Sequence, residues 1–512
     1  MASEIAFSGL LTPPLTTSKA ICTFLVLLFT HRLWIITYRI YFHPLRHYPG
    51  PKVAAATKLH RLYFTTRGEG ATLPKRLHDR YGAIVRIGPD ELSYIDSRAW
   101  KDIHGFHVGD KDSFTKDLVM YGPDIRPNVR GLIRADDAGH SRQRRIFTHA
   151  FSDRALRGQE SLIKGYVDTL MAKLHAVAER QRKDSRSADS ILEITRLYTF
   201  TTFDIMADLT FGESLGMLSG ESYVPWVSLI EESLRYSGYT LILRAYPLLE
   251  SLLTPLIPKS IKAMREEHIN FAIKRVDQRL QNGSDRGDIW SLVERHAEQD
   301  NISREEMYSS SYEFLIAGSE TTASLLSGLT YFLCKNEAKM KRVLGEIRTL
   351  GIDDLTISKL QGLKFLQACI EETMRLYPPV AGALGRVKQR GGANICGKWV
   401  PEGTSVGIPH MAAYHSATNF SDPIEFAPER WLPDAPDRFK NDNKEAFQPF
   451  LYGPRNCLGK SLAYHEVRLI MASILWHFDI ELEDSQVDWL DQRWYGFFEK
   501  QPLRIRLTYV SR

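Results

Sequence analysis

Ten residues near the C-terminus, Phe450-Leu-Tyr-Gly453-Pro-Arg455-Asn-Cys457-Leu-Gly459, restrict this chain more than any other segment. A helical pattern follows from Lys460 to Trp476, so the cysteine stands where a loop becomes a helix. The unsatisfied N–H groups of a first helical turn favour an anion there, and the thiolate is the form of cysteine that binds metals. Glycines at 453 and 459 let the backbone turn tightly and approach a neighbouring group closely, while Arg455 can pair with a carboxylate. A lone buried cysteine is usually an inert small hydrophobe, and it is the surrounding pattern that sets Cys457 apart.

Two further constellations are helical. At Ser303-Arg-Glu-Glu306 a capping box opens a helix predicted to run to about Lys335, some thirty residues and roughly 45 Å long. Its middle, Leu315-Ile-Ala-Gly318-Ser-Glu320-Thr321-Thr322, holds a glycine and several hydroxyls that weaken a helix, so a break is expected there. An acid next to an alcohol in such a place can relay protons. In Glu372-Thr-Met-Arg375 the carboxylate and guanidinium share one helix face, an arrangement that in isolation reads as a surface ion pair. Elsewhere, Ile84–Ile87 and Leu92–Ile95 flank Gly88-Pro89-Asp90 as a hairpin, and Leu162–Leu174, Ile191–Leu209 and Phe365–Leu376 show helical periodicity. Strict alternation over Leu503–Thr508 marks a final strand.

The cysteine segment fills all five fixed positions of F-x-x-G-x-R-x-C-x-G, a match that chance supplies on the order of once in ten thousand chains of this size. On it the chain resembles the cytochrome P450 family, and the other motifs fall in that family's order. Ala317-Gly318-Ser319-Glu320-Thr321 is similar to its oxygen-binding motif, which implies a proton relay through Glu320 and Thr321. Glu372, Arg375 and the arginine of Pro428-Glu429-Arg430-Trp431 resemble its buried structural cluster. His140 and Arg144 match its W-x-x-x-R element with histidine in place of tryptophan, and Arg386 stands where another propionate partner is usual. The resemblance implies a mainly α fold with small β-sheets and one large catalytic domain. It implies haem b ligated by Cys457, with Phe450, Gly453, Arg455 and Gly459 around it and Arg144, His140 and Arg386 beside the propionates. It also implies O2 as oxidant, with electrons from NADPH through a separate flavoprotein reductase. A thiolate ligand pushes electron density onto haem iron and so favours O–O cleavage.

From Ile21 to Tyr41 an apolar run of 21 residues spans roughly 30 Å as a helix, about one bilayer core, interrupted by His31 and Arg32. Basic residues are denser after it (Arg39, Arg46, Lys52, Lys58, Arg61) than before it (Lys19), which places the body on the cytoplasmic side, and the resemblance puts it at the endoplasmic reticulum. The expected division is 1–42 as membrane anchor, 43–55 as a proline-rich hinge in extended turns, and 56–512 as the haem-binding domain. With 43% hydrophobic residues the 512-residue chain can bury a large core, and a net charge of +5 is too small and dispersed to point to nucleic acid. Five cysteines without paired spacing indicate neither disulfides nor a zinc site.

Pocket-lining segments are expected near 105–127, 210–245, 313–321, 380–385 and 496–499. The last three are largely uncharged and suit a lipophilic small molecule. The overall resemblance is to fungal enzymes that oxidise secondary metabolites such as terpenoids, polyketides or alkaloids. No G-x-G-x-x-G fingerprint is present, in keeping with borrowed electrons. Two alternatives stand beside this reading: a haem-thiolate isomerase or dehydratase, and a non-catalytic haem-binding protein. Glu320 and Thr321 weigh against both.

Overall fold

The structure is a computed structural model that describes residues 15–106, 113–122, 129–183, 191–220, 225–283, 287–296 and 302–510. Parts of the expected anchor segment (1–14) and of the pocket segments 105–127 and 210–245 lie outside the described residues. Helix α1 (Leu15–Tyr41) carries the apolar run, and its stretch Ser18–Tyr41 is long and apolar enough to cross a membrane. Phe24, Phe29 and Trp34 are all more than 60% exposed, so this stretch takes no part in the core.

The segment after α1 departs from the extended turns expected of it. Pro44–His47 forms a tight 3-10 turn, which proline favours at its first position, and Lys52–Ala56 a short helix. It is also bolted to the body. The buried Arg86 guanidinium donates to the carbonyl of Arg39 (2.9 Å) and to that of Pro89 (2.6 Å), while the Arg86 N–H donates to Pro49 (2.7 Å). Gly50 lies so close to this strand that a Cβ would stand 2.3 Å from the Arg86 carbonyl oxygen. The hinge thus fixes the exit direction of α1 relative to the first sheet.

Of the body's helices, those that position the site are α2 (Leu59–Thr66), α3 (Asp137–Thr148), α4 (Asp153–Lys183), α5 (Ile194–Phe211), α6 (Pro225–Ala245), α7 (Arg304–Lys335), α8 (Lys364–Leu376) and α9 (Lys460–His477). The strands are β1 (Ile84–Gly88), β2 (Glu91–Tyr94), β3 (Phe114–Lys116), β4 (Leu192–Glu193), β5 (Arg386–Lys388), β6 (Ala393–Ile395), β7 (Lys398–Val400), β8 (Ser405–Gly407), β9 (Phe478–Leu482) and β10 (Arg504–Tyr509). They form a five-stranded sheet in the order β1-β2-β8-β5-β3, a three-stranded sheet β4-β10-β9, and the pair β6-β7. The hairpin read from the sequence is β1/β2, with Ile84 opposite Tyr94. The alternating C-terminal segment is the central strand of the second sheet, antiparallel to β9 over Ile505–Tyr509.

Helix α7 is the axis of the core. Its N-terminus carries the expected capping box: the Ser303 N–H donates to Glu306 Oε2 (2.9 Å) and the Glu306 N–H donates back to Ser303 Oγ (3.3 Å). Leu315, Ala323, Leu326, Leu329 and Leu333 are fully buried, packed against α5, α8 and α9. The break expected at Gly318 is absent, and the helix runs unbroken from Arg304 to Lys335. The glycine serves packing instead: a Cβ there would come 2.7 Å from the sulfur of Met206 on α5, so its absence lets the two helices close on each other. Thr321 compensates within the helix by donating from Oγ1 to the Ala317 carbonyl (2.6 Å).

One core residue has a measurable pH signature. Glu466, on α9, is 1% exposed and neither carboxylate oxygen has a hydrogen-bond partner. Burial pushes its carboxyl up to about 8. A carboxyl held neutral by the fold contributes stability that is full below its unfolded value, near 4.5, and is lost as pH rises through 8, at about 1.4 kcal/mol per pH unit. Glu466→Gln removes that loss. The melting temperature of the variant relative to the native chain is therefore expected to rise steadily between pH 5 and 8; a constant difference across that range would show that Glu466 does not titrate in the fold.

Candidate active site

The cysteine loop is built by two backbone contacts that its sequence makes possible. The Cys457 N–H donates to the Phe450 carbonyl (2.8 Å), closing the loop just before α9 begins at Lys460. Gly453 has φ +77°, and a Cβ there would stand 1.9 Å from the His104 carbonyl oxygen, so only glycine lets the loop lie against the helix Arg98–His104. Leu451 adopts φ +63°, a left-handed conformation that costs a non-glycine residue on the order of 1 kcal/mol and marks the loop as strained. Gly459 is a different case: its φ is −84° and a Cβ would meet nothing within 4 Å. A side chain there would enter open space next to Cys457.

Cys457 itself is solvent-accessible, unlike the buried Cys369 and Cys396. Burial among protein atoms nevertheless pushes its thiol up, opposed by the Gly459 N–H and by the charges of Arg144 and Lys460. Accessible area combined with crowding describes the wall of a concavity. A second such wall lies on α7, where Ile316, Ala317, Gly318 and Thr321 are partly accessible although residues 322–333 are buried. Helices α7 and α9 pack on one another, so both walls belong to one region of the core.

Basic side chains gather at this place. Arg144, on α3, donates from Nη1 to the Asn456 carbonyl (2.5 Å), next to the cysteine. Arg455 donates from Nη2 to Asp137 (2.6 Å) and to the Ala135 carbonyl (2.9 Å), while its Nη1 is buried without a partner. His140 is held down to about 3, first by burial and then by the charges of Arg455, Lys116 and Arg144. Lys116, on β3, is held well below the usual lysine range by burial and then by Arg455 and Arg386, against the pull of Glu313. Arg386, on β5, is 2% exposed and donates from Nη1 to the Tyr121 hydroxyl (2.8 Å).

Mutual repulsion of this kind is costly unless anions bridge it. Among the described residues, Asp137 and Glu313 answer only part of the charge: Glu313 is itself committed to Arg134 (3.0 Å) and to the Ile133 N–H (2.7 Å). The donor set, the unpartnered Arg455 nitrogen and the open space over Gly459 therefore fit a flat ligand bearing two carboxylates, as haem b does. Its iron would meet Cys457. Among the described residues no cluster of three His, Cys, Asp or Glu side chains offers a protein-only metal site.

A second cluster has its side chains wholly buried. Glu372 and Arg375, on α8, form a two-pronged pair at 2.8 Å each, with both side chains fully buried. Arg430 donates from Nε to Glu372 (3.0 Å) and pairs with Asp442. Remaining donors reach backbone carbonyls of Tyr414, Pro423, Glu425 and Ser421. This is not the exposed ion pair that the spacing alone suggests. Two arginines meet two carboxylates, with their hydrogen bonds satisfied.

On α7, Glu320 is buried and paired with Lys500, and its second oxygen, Oε1, has no partner. Thr321 is its neighbour in sequence. The structure thus brings Cys457, Arg455, Arg144, His140 and Arg386 to one place and Glu372, Arg375 and Arg430 to another. Phe450 lies at the loop's start with its ring 5.1 Å from that of Tyr464. Sequence reading missed Lys116, Asp442 and Lys500. Lys116 ends a three-residue strand with no periodicity to expose it, whereas Asp442 lies close enough to Arg430 that a search for a countercharge would have found it.

Residues 49–508 match the sequence profile of the cytochrome P450 family. The chain is 43% identical over 480 residues to the cytochrome P450 monooxygenase efuB of Hormonema carpetanum, covering 93% of this chain and 94% of that one. It is 43% identical over 475 residues to the cytochrome P450 monooxygenase FUM2 of Gibberella moniliformis (92% and 99% covered), and 40% identical over 476 residues to AMT3 of Alternaria alternata, also a cytochrome P450 monooxygenase (92% and 95%). The chain belongs to the cytochrome P450 family. It is an oxygen-incorporating oxidoreductase whose prosthetic group is haem b, with electrons from NADPH passed on by a reductase.

Proposed function

We propose that Cys457 ligates the haem iron, that Arg144, His140, Arg386, Arg455 and the additional Lys116 hold its propionates, and that Glu320 and Thr321 pass protons to the oxygen side. The observation that carries this reading is an accessible cysteine at a helix start beside Arg144, in a cluster of basic side chains in which Arg455 Nη1 is buried without a partner. Bound haem supplies the site at which O2 is reduced and one oxygen atom is inserted into a C–H or C=C bond. In the overall balance, NADPH provides two electrons, and the second oxygen leaves as water with two protons. The chain's own part is to hold the cofactor's carboxylates, keep a thiolate in place and move those protons along α7. Glu372, Arg375, Arg430 and Asp442 are structural: they set the position of the segment leading to Cys457.

The substrate in this reading is a lipophilic small molecule of fungal secondary metabolism, of the terpenoid, polyketide or alkaloid type. Apolar, partly accessible Ile316, Ala317, Val380, Ala383 and Leu384 support it, as do the fungal sources of the relatives. Residues 1–42 serve as a single-pass anchor, 43–55 as the hinge and 56–512 as the catalytic domain, facing the cytosol at the endoplasmic reticulum beside its flavoprotein reductase. The exposed apolar face of α1 and the basic residues that follow it support that placement.

With reductase and a candidate substrate, NADPH and O2 are expected to be consumed together with product; rapid product formation without NADPH would overturn the monooxygenase reading in favour of an isomerase. Thr321→Ala is expected to lower product formed per NADPH by about tenfold or more while hydrogen peroxide accumulates, because reduced oxygen escapes when protons arrive late. Unchanged stoichiometry in this variant would remove Thr321 from the relay.

A further inference from the structure

The segment 489–501 packs against α7, with the ring of Trp489 5.7 Å from that of Tyr331, and is tied down at several points. Trp489 donates from Nε1 to the Gln501 carbonyl (2.7 Å), the Glu499 N–H donates to Arg493 (2.8 Å), and the Trp494 N–H donates to Gly68 (2.8 Å). Tyr377 anchors the segment from α8's end: its ring stacks on Phe498 at 4.2 Å and its hydroxyl donates to Gln492 (2.8 Å). Two adjacent residues at the end of this segment then form ion pairs with helices. Glu499 pairs with Arg235 of α6 (2.6 Å), and Lys500 pairs with Glu320 of α7. The first pair is solvated; the second is not, with the side chains of Lys500 and Glu320 only 9% and 3% exposed.

We infer that Lys500 is a positioning residue of the oxidation: it holds Glu320 by Oε2, keeps it ionised between turnovers, and leaves Oε1 as the one oxygen free to take and give the proton. This deepens the relay reading above and rests on it. A carboxylate buried with no countercharge takes up a proton and stays neutral, and an acid already protonated has no basic oxygen left to accept the incoming proton that the relay must pass on. Lys500 prevents that with a single charge. Nothing else titratable is described against Glu320 apart from the Tyr377 hydroxyl, which burial and the nearby Glu320 charge push far above its ordinary range, so it stays neutral. No bond to Lys500 is made or broken in the cycle. Because Lys500 is fixed by the tied segment, and Glu499 beside it by α6, the geometry of the relay depends on residues that sequence order places nearly two hundred positions away from Glu320.

The test needs a readout that does not depend on turnover. Infrared spectra of the resting haem-loaded protein near neutral pH are expected to show in Lys500→Met one protonated-carboxyl band more than the native protein, whose own band comes from Glu466. The additional band should disappear in the Lys500→Met/Glu320→Gln double variant. Lys500→Arg, which keeps the charge, should lack it. In turnover, Lys500→Met should give about tenfold less product per NADPH, with peroxide in its place, and Lys500→Arg should recover most of the coupling. Lys500→Gln answers the same question should the methionine variant not accumulate in folded form. Native infrared spectra and native coupling in Lys500→Met would overturn the inference. If instead Glu320→Gln itself leaves coupling untouched, the relay reading fails, while the new carboxyl band in Lys500→Met would still establish that the lysine holds the acid ionised.

Discussion

Cys457→Ala is expected to abolish NADPH-dependent product formation and to remove the long-wavelength Soret band that thiolate-ligated haem shows when reduced and exposed to carbon monoxide. Five cysteines are free, and Cys457 alone combines accessibility with a position at a helix start beside Arg144 and Lys460. Cys369 is buried in the core and Cys334 lies against β9; burial pushes the Cys334 thiol up to about 12, so it is no source of a thiolate. Cys22 lies in α1. No other sulfur can therefore replace the ligand. Cys457→His tests the same point from another side: it offers a nitrogen ligand, so haem is expected to be retained with its carbon monoxide band at shorter wavelength and with product formation lost. A long-wavelength band that survives in the alanine variant would sink the assignment.

Glu372→Ala is expected to be the most destabilising single change in the body, at about 3–5 kcal/mol, because it leaves buried charges without a partner. The carboxylate accepts from Arg375 Nε and Nη2, from Arg430 Nε, from the Ala427 N–H and from Trp431 Nε1. Its loss strands all of these donors at once and leaves two guanidinium groups against Asp442 alone. Glu372→Gln keeps the shape and an acceptor, and its cost should be smaller. Thermal unfolding and the yield of haem-loaded protein are the measurements; a melting temperature within about 2 °C of native for the alanine variant would contradict the buried-pair account.

Much of this site could be read from the sequence because its chemistry is local. The cysteine loop, the capping box at Ser303 and the pairing of Glu372 with Arg375 depend on residues within a turn or two of each other, and fixed spacing then means fixed geometry. The burial of Glu372 and Arg375 did not follow from spacing; only the resemblance suggested it, and the packing of the 420–442 segment over α8 creates it. Lys116 and Lys500 sit on a three-residue strand and an irregular segment, where no periodicity marks a side chain as inward. Gly318 shows the limit in the other direction. A glycine in mid-helix signals weakness when read locally, but its meaning here comes from Met206, more than a hundred residues away.

The Glu372, Arg375, Arg430 and Asp442 tetrad also constrains how this protein can be recombined with its relatives. Its charges cancel only as a set, and the set is split between α8 and the stretch after Ser421. A chimera with its crossover between 376 and 421 takes half of that set from each parent, so both halves must have been shaped to the same backbone separation. Crossovers placed before 364 or after 442 inherit the arrangement whole, and those are the natural seams for building hybrid enzymes from this chain.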